Sequence, residues 1–80
     1  MANLVLYYTQ SCPYSQKVLR FIEQNNIKLV LKDTHEGRQN REDLIKIGGK
    51  SQVPCLVIDG QALYESDDII EWLKNEFKRH

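Results

Sequence analysis

Two β-prone runs, Cys55 to Ile58 and Gln61 to Tyr64, flank the pair Asp59-Gly60. This feature narrows the fold more than any other, because an Asp-Gly pair accepts the positive φ values of a two-residue hairpin turn. The two runs are therefore predicted to fold back on each other as antiparallel strands. A helix is predicted directly behind them, with Ser66 as its cap and Asp67 and Asp68 in its first turn. Ile69, Ile70, Leu73 and Phe77 recur at helical spacing and mark its inner face.

The N-terminal half supplies a second unit. Leu4 to Tyr8 is a short apolar and aromatic run that stops at Thr9, Gln10 and Ser11, as a buried strand followed by a turn does. Pro13 stands where a first helical residue needs no amide hydrogen bond. Val18, Leu19, Phe21 and Ile22 then carry the helical period, so a helix is predicted over Pro13 to Gln24. Ile27 to Leu31 reads as a second strand, and the polar stretch Asp33 to Gln39, with Gly37 inside it, as an exposed loop. Arg41 to Ile47 fits a shorter helix halted by Gly48 and Gly49. The predicted order is β-α-β-α-β-β-α. A strand, crossover helix and parallel strand, followed by a hairpin and a covering helix, give an α/β sandwich with a mixed four-stranded sheet and three helices. This is the thioredoxin-like fold.

All 80 residues are expected to form one domain, since 41% hydrophobic content at that length suffices for one core and no linker or repeat interrupts it. Eleven basic residues balance eleven acidic ones, so the chain lacks the charge footprint of a nucleic-acid or membrane-surface binder. Neither partner is expected. Met1 to Tyr8 does not have the layout of a leader, and no window approaches the roughly 18 to 20 apolar residues of a membrane span, which makes the cytoplasm the expected compartment. Two cysteines, Cys12 and Cys55, are too few for a disulfide-stapled scaffold. His35 and His80 are scattered from them with no ligand pair at short spacing, so no metal is expected.

Cys12 falls between the first strand and the first helix, where unpaired amides and the helix dipole favour negative charge. From position alone it is either a stabilised thiolate, the form that attacks disulfides, or a small buried cysteine. The run Cys12, Pro13, Tyr14, Ser15 resembles the active-site motif of glutaredoxins, most often Cys-Pro-Tyr-Cys. Two further stretches carry the resemblance along the whole chain. Val53 and Pro54 follow a Gly48 to Gln52 loop, are expected to open the third strand, and match the superfamily's cis-proline position. There the backbone of the preceding residue pairs with an extended substrate. Glu65, Ser66, Asp67 and Asp68 stand where the last helix begins. Without the other two elements this stretch would read as a plain N-cap with acidic first-turn residues.

The resemblance implies that Cys12 is the nucleophile, that glutathione is the cosubstrate, and that glutathionylated or disulfide-containing proteins are the partners of a monomeric enzyme. Val53, Pro54, Ser66 and Asp67 are then the glutathione-binding set, the helix amides holding the γ-glutamyl carboxylate and an acidic side chain meeting its amino group. Arg41 aligns with a position near the glycine carboxylate of glutathione, and reads equally as a solvated helix-face arginine. Ser15 replaces the resolving cysteine, which implies a monothiol route with a second glutathione as the resolving thiol. Two positions depart from the family pattern: Thr9 stands where a lysine is frequent, and Glu65-Ser66 looks like the glutathione-contacting Glu-Ser stretch of glutathione transferase N-terminal domains. Two rival uses follow from the same likenesses: a glutathione-ligated iron-sulfur cluster carrier, and a transferase-like module. Pro13 and Tyr14 stand against the carrier, whose members usually have Gly-Phe there. Cys55, Tyr7, Tyr8 and Trp72 are assigned to core packing or the groove edge.

Overall fold

Seven elements follow the predicted order in the computed structural model, which describes residues 3–77: β1 (Leu4–Tyr8), α1 (Pro13–Gln24), β2 (Val30–Asp33), α2 (Arg38–Gly48), β3 (Cys55–Ile58), β4 (Gln61–Tyr64) and α3 (Ser66–Glu76). His80, weighed above as a metal ligand, lies outside the described residues. The strands form one mixed sheet in the order β2-β1-β3-β4. β1 runs parallel to β2 and antiparallel to β3, with Leu6 opposite both Leu31 and Leu56.

Alternation along β1 divides the interior in two. Leu6 points into a cluster with Val18 and Ile22 of α1, Leu56 of β3, and Ile69 and Leu73 of α3. Tyr7 points the other way, against Leu44 of α2 with Cys55 and Val57 of β3. The period of two in the strand thus assigns α1 and α3 to one face and α2 to the other. The hairpin turn is as predicted, with Asp59 and Gly60 at φ 49° and 87°. The Asp59 carboxylate also accepts the Asn3 amide at 2.8 Å, tying the turn to the start of the chain.

Several sequence expectations are corrected. The second strand begins at Val30 and not at Ile27, because Ile27 closes α1: its amide donates to the Ile22 carbonyl at 3.0 Å and its side chain enters the core. Lys32 and Asp33, too polar to suggest a strand, pair with Tyr7 and Tyr8 through the backbone. The second helix starts at Arg38, three residues early, behind Gly37 at φ 138°, and its first turn carries no apolar residue to signal it. It also takes in Gly48, and Gly49, at φ 82°, ends it. A Cβ at Gly48 would strike the Tyr64 hydroxyl, so any larger residue at this helix end requires the Tyr64 side chain to shift.

The last helix has Glu65, at φ 72° and without a side-chain cap bond, as its N-cap, and not Ser66, which is the first helical residue. Phe77, assigned to the inner face, lies past the last helical residue and is 42% exposed. Val53 and Pro54 precede β3, which begins at Cys55.

Leu44 is the one buried residue of α2. Leu44→Ala is therefore expected to lower the unfolding free energy by about 2–5 kcal/mol, read from urea denaturation, as the loss of a fully buried leucine does.

Candidate functional site

The site starts from the turn that joins β1 to α1. Cys12 is the N-cap of α1, in extended conformation at φ −90° and ψ 120°. Its amide donates to the Thr9 carbonyl at 3.1 Å, and its carbonyl accepts the first helical bond from Gln16 at 3.0 Å. Pro13 at the first helical position needs no partner for an amide it lacks. The sulfur is thereby held at the amide-rich end of the helix.

Ser15 completes that arrangement from inside. It is fully buried, and its hydroxyl oxygen accepts the Thr9 amide at 3.3 Å. Having accepted there, the hydroxyl has its own proton to give to the Cys12 sulfur. Burial alone would push the Cys12 thiol pKa up. The Ser15 amide, the Ser15 hydroxyl and the Tyr14 amide outweigh burial, and the thiol is held below its ordinary value. Cys55 is the opposite case: fully buried on β3, its thiol is raised by burial despite a hydrogen bond with Tyr64. Both cysteines are free thiols.

Beside α1 runs a groove of about 620 Å³ lined by Tyr14, Gln52, Val53, Pro54, Glu65, Ser66, Asp67 and Asp68. Three separated stretches meet in it: the head of α1, the loop before β3 and the start of α3. The Val53-Pro54 peptide is cis, as the superfamily position requires. Tyr14 is 66% exposed, whereas Ser66 is buried at the first turn of α3. Gln52 donates to the Glu65 carboxylate at 3.3 Å, bridging the loop to the α3 cap. On the α1 side, the Lys17 ammonium pairs with the Asp67 carboxylate.

Of the residues singled out from sequence, Tyr14, Val53, Pro54, Ser66 and Asp67 share this groove, and Cys12 and Ser15 stand at the head of the helix that forms its wall. Arg41 does not join them; it is exposed on α2 and outside the lining. Thr9, in the position where a lysine is frequent, is buried with its hydroxyl 2.8 Å from that of Thr34. Gln52 and Lys17 were not legible as site residues. Gln52 adjoins Val53-Pro54, a clue from position; Lys17 carries no signal beyond that of a solvated helix face. A larger hollow, about 800 Å³, opens at the other end of the sheet around Leu4, Val30 and Phe77, away from both cysteines. Among the described residues, no three His, Cys, Asp or Glu side chains gather into a metal-binding group, and no helix is long and apolar enough to cross a membrane.

Comparison with known proteins places the chain. The profile of the family described as "Glutathione S-transferase, N-terminal domain" matches residues 6–80. Glutaredoxin 3 of Escherichia coli K12 is 28% identical over 69 residues, 86% of this chain and 83% of its own length. Glutathione transferase Omega 3C from Trametes versicolor superposes with a TM-score of 0.80 at 30% identity, covering 98% of this chain. The chain spans only 35% of that transferase's length. A thioredoxin-like protein of similar size is 25% identical, with a TM-score of 0.75 and coverage of 90% of this chain and 96% of its own.

Ser15→Ala removes one of the three hydrogen bonds that favour the thiolate. The pH midpoint of Cys12 alkylation is expected to move up in this variant, with the plateau rate retained, as followed by iodoacetamide trapping across pH.

Proposed function

The chain belongs to the glutathione S-transferase N-terminal domain family, within the glutaredoxin and thioredoxin-like group, and on that premise we propose that it is a glutathione-dependent thiol-disulfide oxidoreductase. The observation that carries this reading is the Cys12 thiol, held at the head of α1 with its pKa lowered, beside a groove that ends at the first turn of α3.

In this reading the Cys12 thiolate attacks the glutathione sulfur of a protein-glutathione mixed disulfide. A disulfide forms between Cys12 and glutathione as the old sulfur-sulfur bond breaks, and the protein sulfur leaves as a thiolate that takes up a proton. The thiolate of a second glutathione then attacks the glutathione sulfur on Cys12. Glutathione disulfide departs, and the Cys12 thiolate is restored. Ser15 cannot form the intramolecular disulfide, so both steps use the one cysteine at the head of α1.

The remaining residues position the substrate. The Val53 backbone, left outside the strand ladder just before Pro54, offers its amide and carbonyl to the tripeptide. The amides at the start of α3, around Ser66 and Asp67, suit the γ-glutamyl carboxylate, and the Asp67 and Glu65 carboxylates suit its ammonium. Holding the glutathionyl sulfur in line with Cys12 is catalysis by orientation. Arg41 lies on the exposed surface of α2, outside the groove lining, and is given no role in this reading.

A second reading rests on the family match and on Glu65-Ser66: a transferase-like module that activates glutathione toward an electrophile. The full transferase it resembles is nearly three times as long, and this chain spans 35% of it.

Reduction of a small glutathione mixed disulfide, coupled to NADPH through glutathione reductase, tests the first reading. Cys12→Ser is expected to fall to the uncatalysed background while remaining folded. Most of the turnover surviving in that variant would refute the role of Cys12. Glutathione conjugation of a chromogenic electrophile without disulfide turnover would favour the second reading.

A further inference from the structure

The Lys17-Asp67 pair joins the helix that carries the nucleophile to the helix that begins the groove. Three carboxylates stand at that end of the groove, Glu65, Asp67 and Asp68. Two of them are held by side chains from other elements: Glu65 by Gln52 of the loop, and Asp67 by Lys17 of α1. Lys17 lies one turn beyond Tyr14, so it reaches Asp67 past the groove wall and is not itself part of the lining.

We propose that Lys17 is a positioning residue for the glutathione site: it fixes the Asp67 carboxylate so that its second oxygen receives the ammonium of the γ-glutamyl group. The inference rests on the glutathione reading above and deepens it. The contact with Lys17 is through Oδ1 of Asp67, and a carboxylate has lone pairs on both oxygens, so Oδ2 can accept from a ligand at the same time. The Asp67 side chain is 81% exposed. Without Lys17 it samples several rotamers in water, and the cost of ordering it falls on ligand binding.

Both oxidoreductase and transferase chemistry would use this head group, so the effect belongs in binding and not in the thiol step. Lys17→Met keeps the aliphatic stem and removes the charge. It is expected to raise KM for glutathione about three- to five-fold, the range of an exposed ion pair, with little change in kcat. Lys17→Arg is expected to restore most of the loss, since its guanidinium also reaches a carboxylate.

The decisive comparison uses glutathione and its desamino analogue, which keeps the thiol and both carboxylates but lacks the ammonium. Each is assayed as the resolving thiol with wild type, Lys17→Met, Asp67→Asn and the double variant. Lys17→Met should weaken use of glutathione and leave use of the analogue unchanged, and the double variant should be no worse than Asp67→Asn alone. Equal loss for both thiols would mean that Lys17 acts only through its general charge and would overturn the proposal, as would an unchanged KM for glutathione. Absence of glutathione turnover in folded wild type would instead overturn the oxidoreductase reading, and this inference with it.

Discussion

Central strand β1 sets the geometry on which the other elements depend. Its hydrogen bonds are taken on both edges, by β2 and β3, so neither edge is open to water or to another chain. Its side chains must then be covered on both faces: Leu6 by α1 and α3, Tyr7 by α2. Because α1 returns over the face that Leu6 occupies, the chain must turn sharply after Tyr8, and that turn contains Cys12. The thiol is at the head of α1 as a consequence of how the sheet is covered.

The chemistry of the site follows from where two thiols and one hydroxyl fall in that framework. Cys12 caps a helix, with donors from Ser15 and Tyr14 aimed at it, and is biased toward thiolate. Cys55 faces Tyr7 and Leu44 in the second cluster, where burial biases it toward the neutral thiol. The same side chain is therefore biased toward thiolate in one place and toward neutral thiol in the other. Ser15 has two effects at once. Its hydroxyl links the end of β1, through the Thr9 amide, to the sulfur, and unlike a cysteine it cannot form a disulfide with Cys12.

Elements marked by an apolar run, a helical period or a turn pair were legible in the sequence: β1, α1, and the hairpin around Asp59-Gly60 match their predicted ranges. The misses have separate causes. Ile27 is apolar and β-branched, yet it plugs the end of α1, and a single buried residue says nothing about which element carries it. Arg38 to Asn40 are helical but polar, with no apolar residue among them, so no period announces them. Glu65 rather than Ser66 caps α3 because the cap is set by a positive φ, which Ser66 as a good capping residue does not reveal. In the site, the residues adjacent along the chain were readable: Cys12 to Ser15, Val53-Pro54, Ser66-Asp67. What the sequence could not supply were cross-element contacts, Gln52 with Glu65 and Lys17 with Asp67, which exist only once the loop, α1 and α3 converge. Arg41 shows the converse limit, since alignment brought it to the site and the fold leaves it on the surface of α2.

Selective glutathionylation of the reduced protein would test the central claim most directly. The protein is mixed with glutathione disulfide near neutral pH, and intact mass followed by peptide mapping locates the adduct. The account predicts one glutathione per chain, on Cys12, with Cys55 still a free thiol. An unmodified Cys12, or an adduct on Cys55 at a comparable rate, would contradict it.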